Sequence, residues 1–142
     1  KVALVTGAGR GIGRAIAKAF GSQRAHVIVN DIQAEKELTD IAGEISTAGI
    51  ESIGIQADVT NSDQVKGMMQ RTVQTFGRLD ILVNNAGIIR RGTIETVSEK
   101  DWDQVIAVNL KGTFNCCHAA AKLMIKNRSG EILDVNGGIL MD

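Results

Sequence analysis

The sequence predicts an α/β protein, a three-layer, doubly wound parallel sheet carried in a single domain over residues 1–142. Three observations predict it. Short runs rich in β-branched residues alternate with longer stretches of helical periodicity, which is how βαβ units build a parallel sheet. The first run is followed at once by a glycine-rich turn, TGAGRGIG, and then by a helical pattern. Around residues 79–83 the apolar side chains stand together rather than alternating with polar ones, as in a strand covered on both faces.

The first strand is VALV at residues 2–5. A helix follows over residues 11–24, where Ile12, Ala15, Ile16, Ala19 and Phe20 recur at helical spacing. A second strand at 27–29 leads to a helix striped by Leu38, Ile41, Ala42 and Ile45, with Gly49 placed to stop it. Residues 53–57 read as a third strand. Asn61 followed by Gln64 resembles a capping box, and the helix it opens is striped by Val65, Met68, Met69, Val73 and Phe76 before Gly77 closes it. Spacing makes both methionines core residues. After the fourth strand a loop at 90–96 leads into a long helix from about 100 to 127, and residues 131–135 form a last strand. Crossovers between parallel strands are right-handed. Such a sheet binds ligands at the carboxyl ends of its strands, where the winding reverses.

Composition narrows the partners. Apolar residues make up 44% and charged residues 23%, ordinary for a globular domain that buries a core. Sixteen basic and sixteen acidic residues cancel, which argues against nucleic acid or an anionic membrane as partner. No apolar stretch reaches about 18 residues, so no membrane span is expected, and residues 2–5 are too short to be the apolar part of a leader. Cys116 and Cys117 are the only cysteines. Adjacent cysteines rarely pair, which points to a reducing cytoplasm; both also read as small apolar helix residues. His26 and His118 have no metal-ligand spacing around them, so no metal is expected. The chain contains no tyrosine and no proline.

The turn at 6–13 carries the first chemistry. Its glycines, at 7, 9, 11 and 13, let the backbone turn tightly and bring amide groups up to a pyrophosphate. The following helix N-terminus adds partial positive charge. A glycine-rich turn alone is a weak signal; between an apolar strand and a helix it becomes a good one. Asp31, at the end of the second strand, can accept hydrogen bonds from an adenosine ribose and repel a 2′-phosphate, favouring NAD over NADP. Arg10 pulls the other way, since a guanidinium in the turn can meet that phosphate, so NADP stays possible. A solvated turn residue is the alternative for Asp31. Asn109 stands out as an amide inside an apolar helical face (Val105, Ile106, Val108, Leu110), and a buried amide needs partners.

TGAGRGIG, Asp58 and Val59 after the third strand, Asn84-Asn85-Ala86-Gly87 after the fourth, and Asn109 in VNLKG resemble, in order, the motifs of the short-chain dehydrogenase/reductase family. The resemblance implies a Rossmann-type fold, incomplete relative to the family. It implies hydride transfer between nicotinamide and an alcohol or ketone, and a homo-oligomer, dimer or tetramer. It implies that Thr6, Gly7, Gly9, Arg10, Gly11, Ile12 and Gly13 hold the phosphates, and that Asp58 with the Val59 amide contacts adenine. Asn85, Ala86 and Gly87, with Asn84, would wall the ribose region. Asn109 would be the one catalytic residue present, bending the long helix and positioning a water. Arg90 and Arg91 follow this motif; paired guanidiniums suit a carboxylate-bearing substrate such as a sugar acid, and solvated loop charges read equally well. A 3-oxoacyl compound is the other substrate class.

The chain also departs from the family. There the chemistry rests on a Ser after the fifth strand and a Tyr-x-x-x-Lys helix. With no tyrosine, that motif cannot lie within these residues. The stretch EILDVNGGILMD instead resembles the family's final strand, as though the chain ran normally to Gly130 and then passed to its end. Three readings follow: an oxidoreductase represented by its cofactor-binding portion, a nucleotide-binding protein left by a natural deletion, or an interaction module. For a continuous chain, residues 131–135 should pair in parallel with residues 81–84. Ile132, Leu133 and Val135 would then be buried, with Asp134 as the misfit.

Overall fold

The computed structural model describes residues 1–47 and 49–135. Strands β1 (Val2–Val5), β2 (His26–Asp31), β3 (Ser52–Gln56), β4 (Ile81–Asn84) and β5 (Glu131–Asp134) form one parallel sheet in the order β3-β2-β1-β4-β5. Helices α1 (Gly11–Ser22), α2 (Glu35–Ile45) and α3 (Ser62–Phe76) connect the first four strands. The return from β4 runs through α4 (Glu99–Val105), a π-helical segment (Ile106–Gly112) and α5 (Thr113–Asn127). This is the doubly wound arrangement expected, and its winding reverses between β1 and β4.

Successive strand residues point to opposite faces, and that alternation divides the core in two. Leu4, Ile28 and Leu82 meet α3 and α5 through Val65, Met68, Met69, Cys116, Ala120 and Met124. Val5, Val27, Val29 and Val83 meet α1 and α2 through Ala17, Leu38, Ile41, Ala42 and Ile45. Both methionines are core, as their spacing indicated.

The structure changes several details. Asp80, inside the stretch read as apolar, is 1% exposed. It accepts from the Val2 N–H at 2.8 Å and from the Arg78 Nε at 2.9 Å. Burial alone would raise its carboxyl, but Arg78, the Val2 N–H and the Lys1 charge outweigh that and hold it below the usual aspartate value. Asn61 caps α3 by accepting from the Asp63 and Gln64 N–H groups. The Gln64 side chain does not complete a capping box; it turns to the Asp58 N–H at 2.8 Å.

The last strand pairs as expected: β5 lies parallel to β4, with Ile81 opposite Glu131 and Asn84 opposite Asp134. Its burial is the correction. All four β5 residues are exposed, Ile132 by 39% and Leu133 by 46%, because β5 is the sheet edge and α5 packs over β4. Only Val135 packs against the core, at its margin. Asp134 is no misfit, since it accepts from Asn84 Nδ2 at 2.8 Å. The remaining residues of the stretch read as the family's final strand, 136–142, lie outside the described ones.

Candidate dinucleotide site

The loops after β1 and β4 meet where the winding reverses, and hydrogen bonds stitch them together. Thr6 Oγ1 accepts from the N–H groups of Asn85 and Ala86, each at 3.0 Å, while the Thr6 N–H donates to Val83 O at 3.0 Å. Asn85 Nδ2 returns across the seam to Thr6 O at 2.9 Å and Gly7 O at 3.1 Å. Gly7 takes φ +62°, and a Cβ there would lie 2.8 Å from Ala86 Cα. At Gly13 a Cβ would overlap the Gly7 carbonyl and Asn85 Nδ2. These glycines are required by close approach and not merely tolerated. Arg10 makes no side-chain cap to α1. Among the described residues the first-turn N–H groups of that helix have no side-chain cap and are open to an anion.

Asp31 anchors the far side of the turn. Its Oδ2 accepts from the Gly9 N–H at 3.0 Å and its Oδ1 from the Ile32 N–H at 2.7 Å. A carboxylate has about four lone-pair sites, so two remain for ligand hydroxyls. At the end of β3, Asp58 Oδ1 accepts from the Thr60 N–H and Oγ1, both at 2.8 Å. Among the described residues, neither Asp58 Oδ2 nor the Val59 N–H has a hydrogen-bond partner. A free acceptor and a free donor therefore sit on adjacent residues.

One cavity of about 340 Å³ joins these parts, within the usual range for small-molecule sites. Gly7, Arg10, Gly11, Ile12 and Gly13 line one wall, Asp31, Asp58 and Val59 a second, and Asn85, Ala86 and Gly87 a third. Thr6 and Gly9 stand behind the wall they hold. Asn109 is exposed, not buried among apolar neighbours, yet both ends of its amide are satisfied. Oδ1 accepts from the Ile88 N–H at 2.9 Å and Nδ2 donates to Ile88 O at 3.0 Å. The long helix does depart from α geometry around Asn109, in the π-helical segment. Arg90 and Arg91 do not line the cavity; Arg90 is engaged by Asp101 at 3.4 Å and Gln104 at 3.1 Å.

The family model for short chain dehydrogenases matches residues 1–139. The chain belongs to that family. Over 136 residues it is 44% identical to the 3-oxoacyl-(acyl-carrier-protein) reductase FabG of Staphylococcus aureus, covering 96% of this chain and 55% of that protein. It is 45% identical over 135 residues to the hydroxy(phenyl)methylsuccinyl-CoA dehydrogenase subunit BbsD of Thauera aromatica, covering 95% of this chain and 54% of that one. A crystal structure of a 3-ketoacyl-ACP reductase from Sinorhizobium meliloti 1021 superposes with a TM-score of 0.88 at 38% identity, over 94% of this chain and 52% of that chain. This short-chain dehydrogenase sequence thus spans about half the length of the relatives it matches.

Sequence reasoning missed some of the cavity. Asn30, Ile32, Ala57, Ile88 and Val108 also line it. Asn30 is fully buried and donates to Ile55 O and Ala57 O, both at 3.1 Å, tying β2 to the end of β3. A polar residue directly before Asp31 in an otherwise apolar run was the available signal. Asn115 was missed as well; it is buried and reaches the loop after β3.

Proposed function

We propose that this chain is the dinucleotide-binding part of a nicotinamide-dependent oxidoreductase that interconverts an alcohol and a ketone. The observation that carries the proposal is the single cavity at the winding reversal, shared by the glycine turn, Asp31 and the Asp58–Val59 pair. The uncapped first-turn N–H groups of α1 suit a pyrophosphate, the remaining lone pairs of Asp31 suit ribose hydroxyls, and the open donor and acceptor at Val59 and Asp58 suit an adenine edge. When bound, the nicotinamide supplies or accepts the hydride. The chain's own residues hold the two ends apart: Thr6 and Asn85 fix the seam between β1 and β4, and Asn109 fixes the Ile88 peptide beside it.

Asp31 favours NAD, because a 2′-phosphate would face a carboxylate already set in place by two N–H groups. Arg10 is exposed at the rim and keeps NADP possible. The acyl-carrier-protein and CoA relatives favour a 3-oxoacyl thioester over a sugar acid, as does the engagement of Arg90 away from the cavity. We place the protein in the cytoplasm on the strength of its two free cysteines. Among the described residues no helix is long and apolar enough to cross a membrane.

A homo-oligomer fits the long helix. Trp102, Ile106, Leu110, Phe114 and Ile125 are exposed along it, the first four at every fourth residue. Glu99, Asp101 and Asp103, with Lys100 among them, leave its start net acidic, and Lys122, Lys126 and Arg128 make its end basic. An antiparallel pair of copies would therefore match both the apolar stripe and the charges. Calorimetry with NAD and NADP, followed by assay of reduced-nicotinamide absorbance with 3-oxoacyl thioesters, tests the proposal; no binding of either cofactor would overturn it.

A further inference from the structure

We propose that Asn115, on the long helix and 56 residues from Val59, is a positioning residue that sets the chain's preference for adenine. The proposal rests on reading the Asp58–Val59 pair as the adenine contact. Asn115 is buried, and its Nδ2 donates to Val59 O at 2.9 Å and to Thr60 O at 3.4 Å. These carbonyls directly follow the free Val59 N–H. Thr60 is held from the other side by Asp58 Oδ1, through its N–H and its hydroxyl.

Packing adds a second constraint. A Cβ at Gly112 would lie 2.6 Å from Val59 Cγ2, so the last residue of the π-helical segment lies directly against the Val59 side chain. Val59 is thereby gripped at its carbonyl by Asn115 and at its side chain by Gly112. Those two contacts fix the Val59 Cα and so restrict where its N–H can point. The middle of the same segment works similarly, since Asn109 grips the Ile88 N–H and C=O on another wall of the cavity. One helix thus holds two of the three walls, and Asn115 governs the adenine end.

The chemistry gives a readout that general weakening would not move. Adenine offers an amino donor and a ring acceptor side by side, matching Asp58 Oδ2 and the Val59 N–H. Hypoxanthine replaces the amino group by a carbonyl and protonates the neighbouring nitrogen, reversing both. The intact protein should bind NAD more tightly than nicotinamide hypoxanthine dinucleotide. Asn115→Leu keeps the bulk and removes the donor. Asn115→Ser keeps polarity but is too short to reach Val59 O, and serves if the leucine variant does not fold. In either variant NAD should weaken about tenfold, one well-made hydrogen bond's worth. The hypoxanthine analogue should weaken much less, so that the preference collapses. Asn115→Gln, which retains an amide donor, should restore part of it. Equal losses for both dinucleotides, or an unchanged preference, would overturn the role given to Asn115. A native chain that binds NAD but does not prefer adenine would overturn the adenine contact itself, and no dinucleotide binding at all would overturn the proposed function beneath both.

Discussion

Replacing Asp31 with alanine should narrow the preference for NAD over NADP by roughly 1–2 kcal/mol, the worth of hydrogen bonds to a charged acceptor. The structure divides that loss into two parts. Oδ2 and Oδ1 hold the Gly9 and Ile32 N–H groups, so their removal loosens the turn and weakens both cofactors alike. Only the ribose contacts and the repulsion of a 2′-phosphate distinguish the two. The ratio of affinities therefore isolates the specificity part, and a change of about 1.4 kcal/mol is tenfold in that ratio. Asp31→Asn is the control, because it keeps an acceptor for the Ile32 N–H while discarding the charge. Calorimetric titration of the native chain and both variants with each cofactor gives the numbers. A native chain that binds NADP more tightly, or an alanine variant whose ratio does not change, would refute the reasoning.

Three further outcomes are expected. Gly13→Ala should destabilise by about 1–3 kcal/mol through overpacking and abolish dinucleotide binding, because the new Cβ overlaps the Gly7 carbonyl; denaturant melts and calorimetry check both. Asp80→Asn should cost about 2 kcal/mol at neutral pH through weaker hydrogen bonds to Val2 and Arg78. The folded carboxyl is held low, so its contribution is complete above its unfolded value and fades as pH falls through the folded one. Acid titration should show the two proteins converging only at strongly acidic pH. Cys116, whose thiol burial pushes up to about 12 with help from Cys117, should resist thiol reagents near pH 8 until the chain unfolds, which timed alkylation and mass analysis would show.

The sheet was legible because its first four strands are buried, so that β-branched residues cluster instead of alternating. The glycine turn, Asp31, Asp58 and Asn85 were legible because close approach and charge restrict which residues serve there. Other features leave weaker traces. The π-helical segment changes hydrogen-bond partners without changing composition, and Asn109 could not be read as exposed from apolar neighbours alone. Asn115 did leave a sign, being a polar residue that follows Gly112 by three positions and precedes Cys116 on the buried side of α5. Gln64 was misassigned because a cap and a loop contact use the same side chain.

The last strand shows where pattern and burial separate. β5 satisfies its backbone against β4, with the Glu131 N–H on Asp80 O and the Val135 N–H on Asn84 O, both at 2.9 Å. Yet its apolar side chains remain open to water. Sequence order fixes the pairing, because a crossover helix delivers the next strand beside the previous one. Burial needs a further layer, which this edge lacks among the described residues. The cavity is built otherwise: every residue that lines it belongs to β2, to α1, to the loops after β1, β2, β3 and β4, or to the π-helical segment. Among the described residues, β5 reaches that framework through the backbone pairing with β4 and the Asn84–Asp134 bond. The cavity therefore rests on the well-buried half of the sheet, and none of its lining residues comes from the exposed edge.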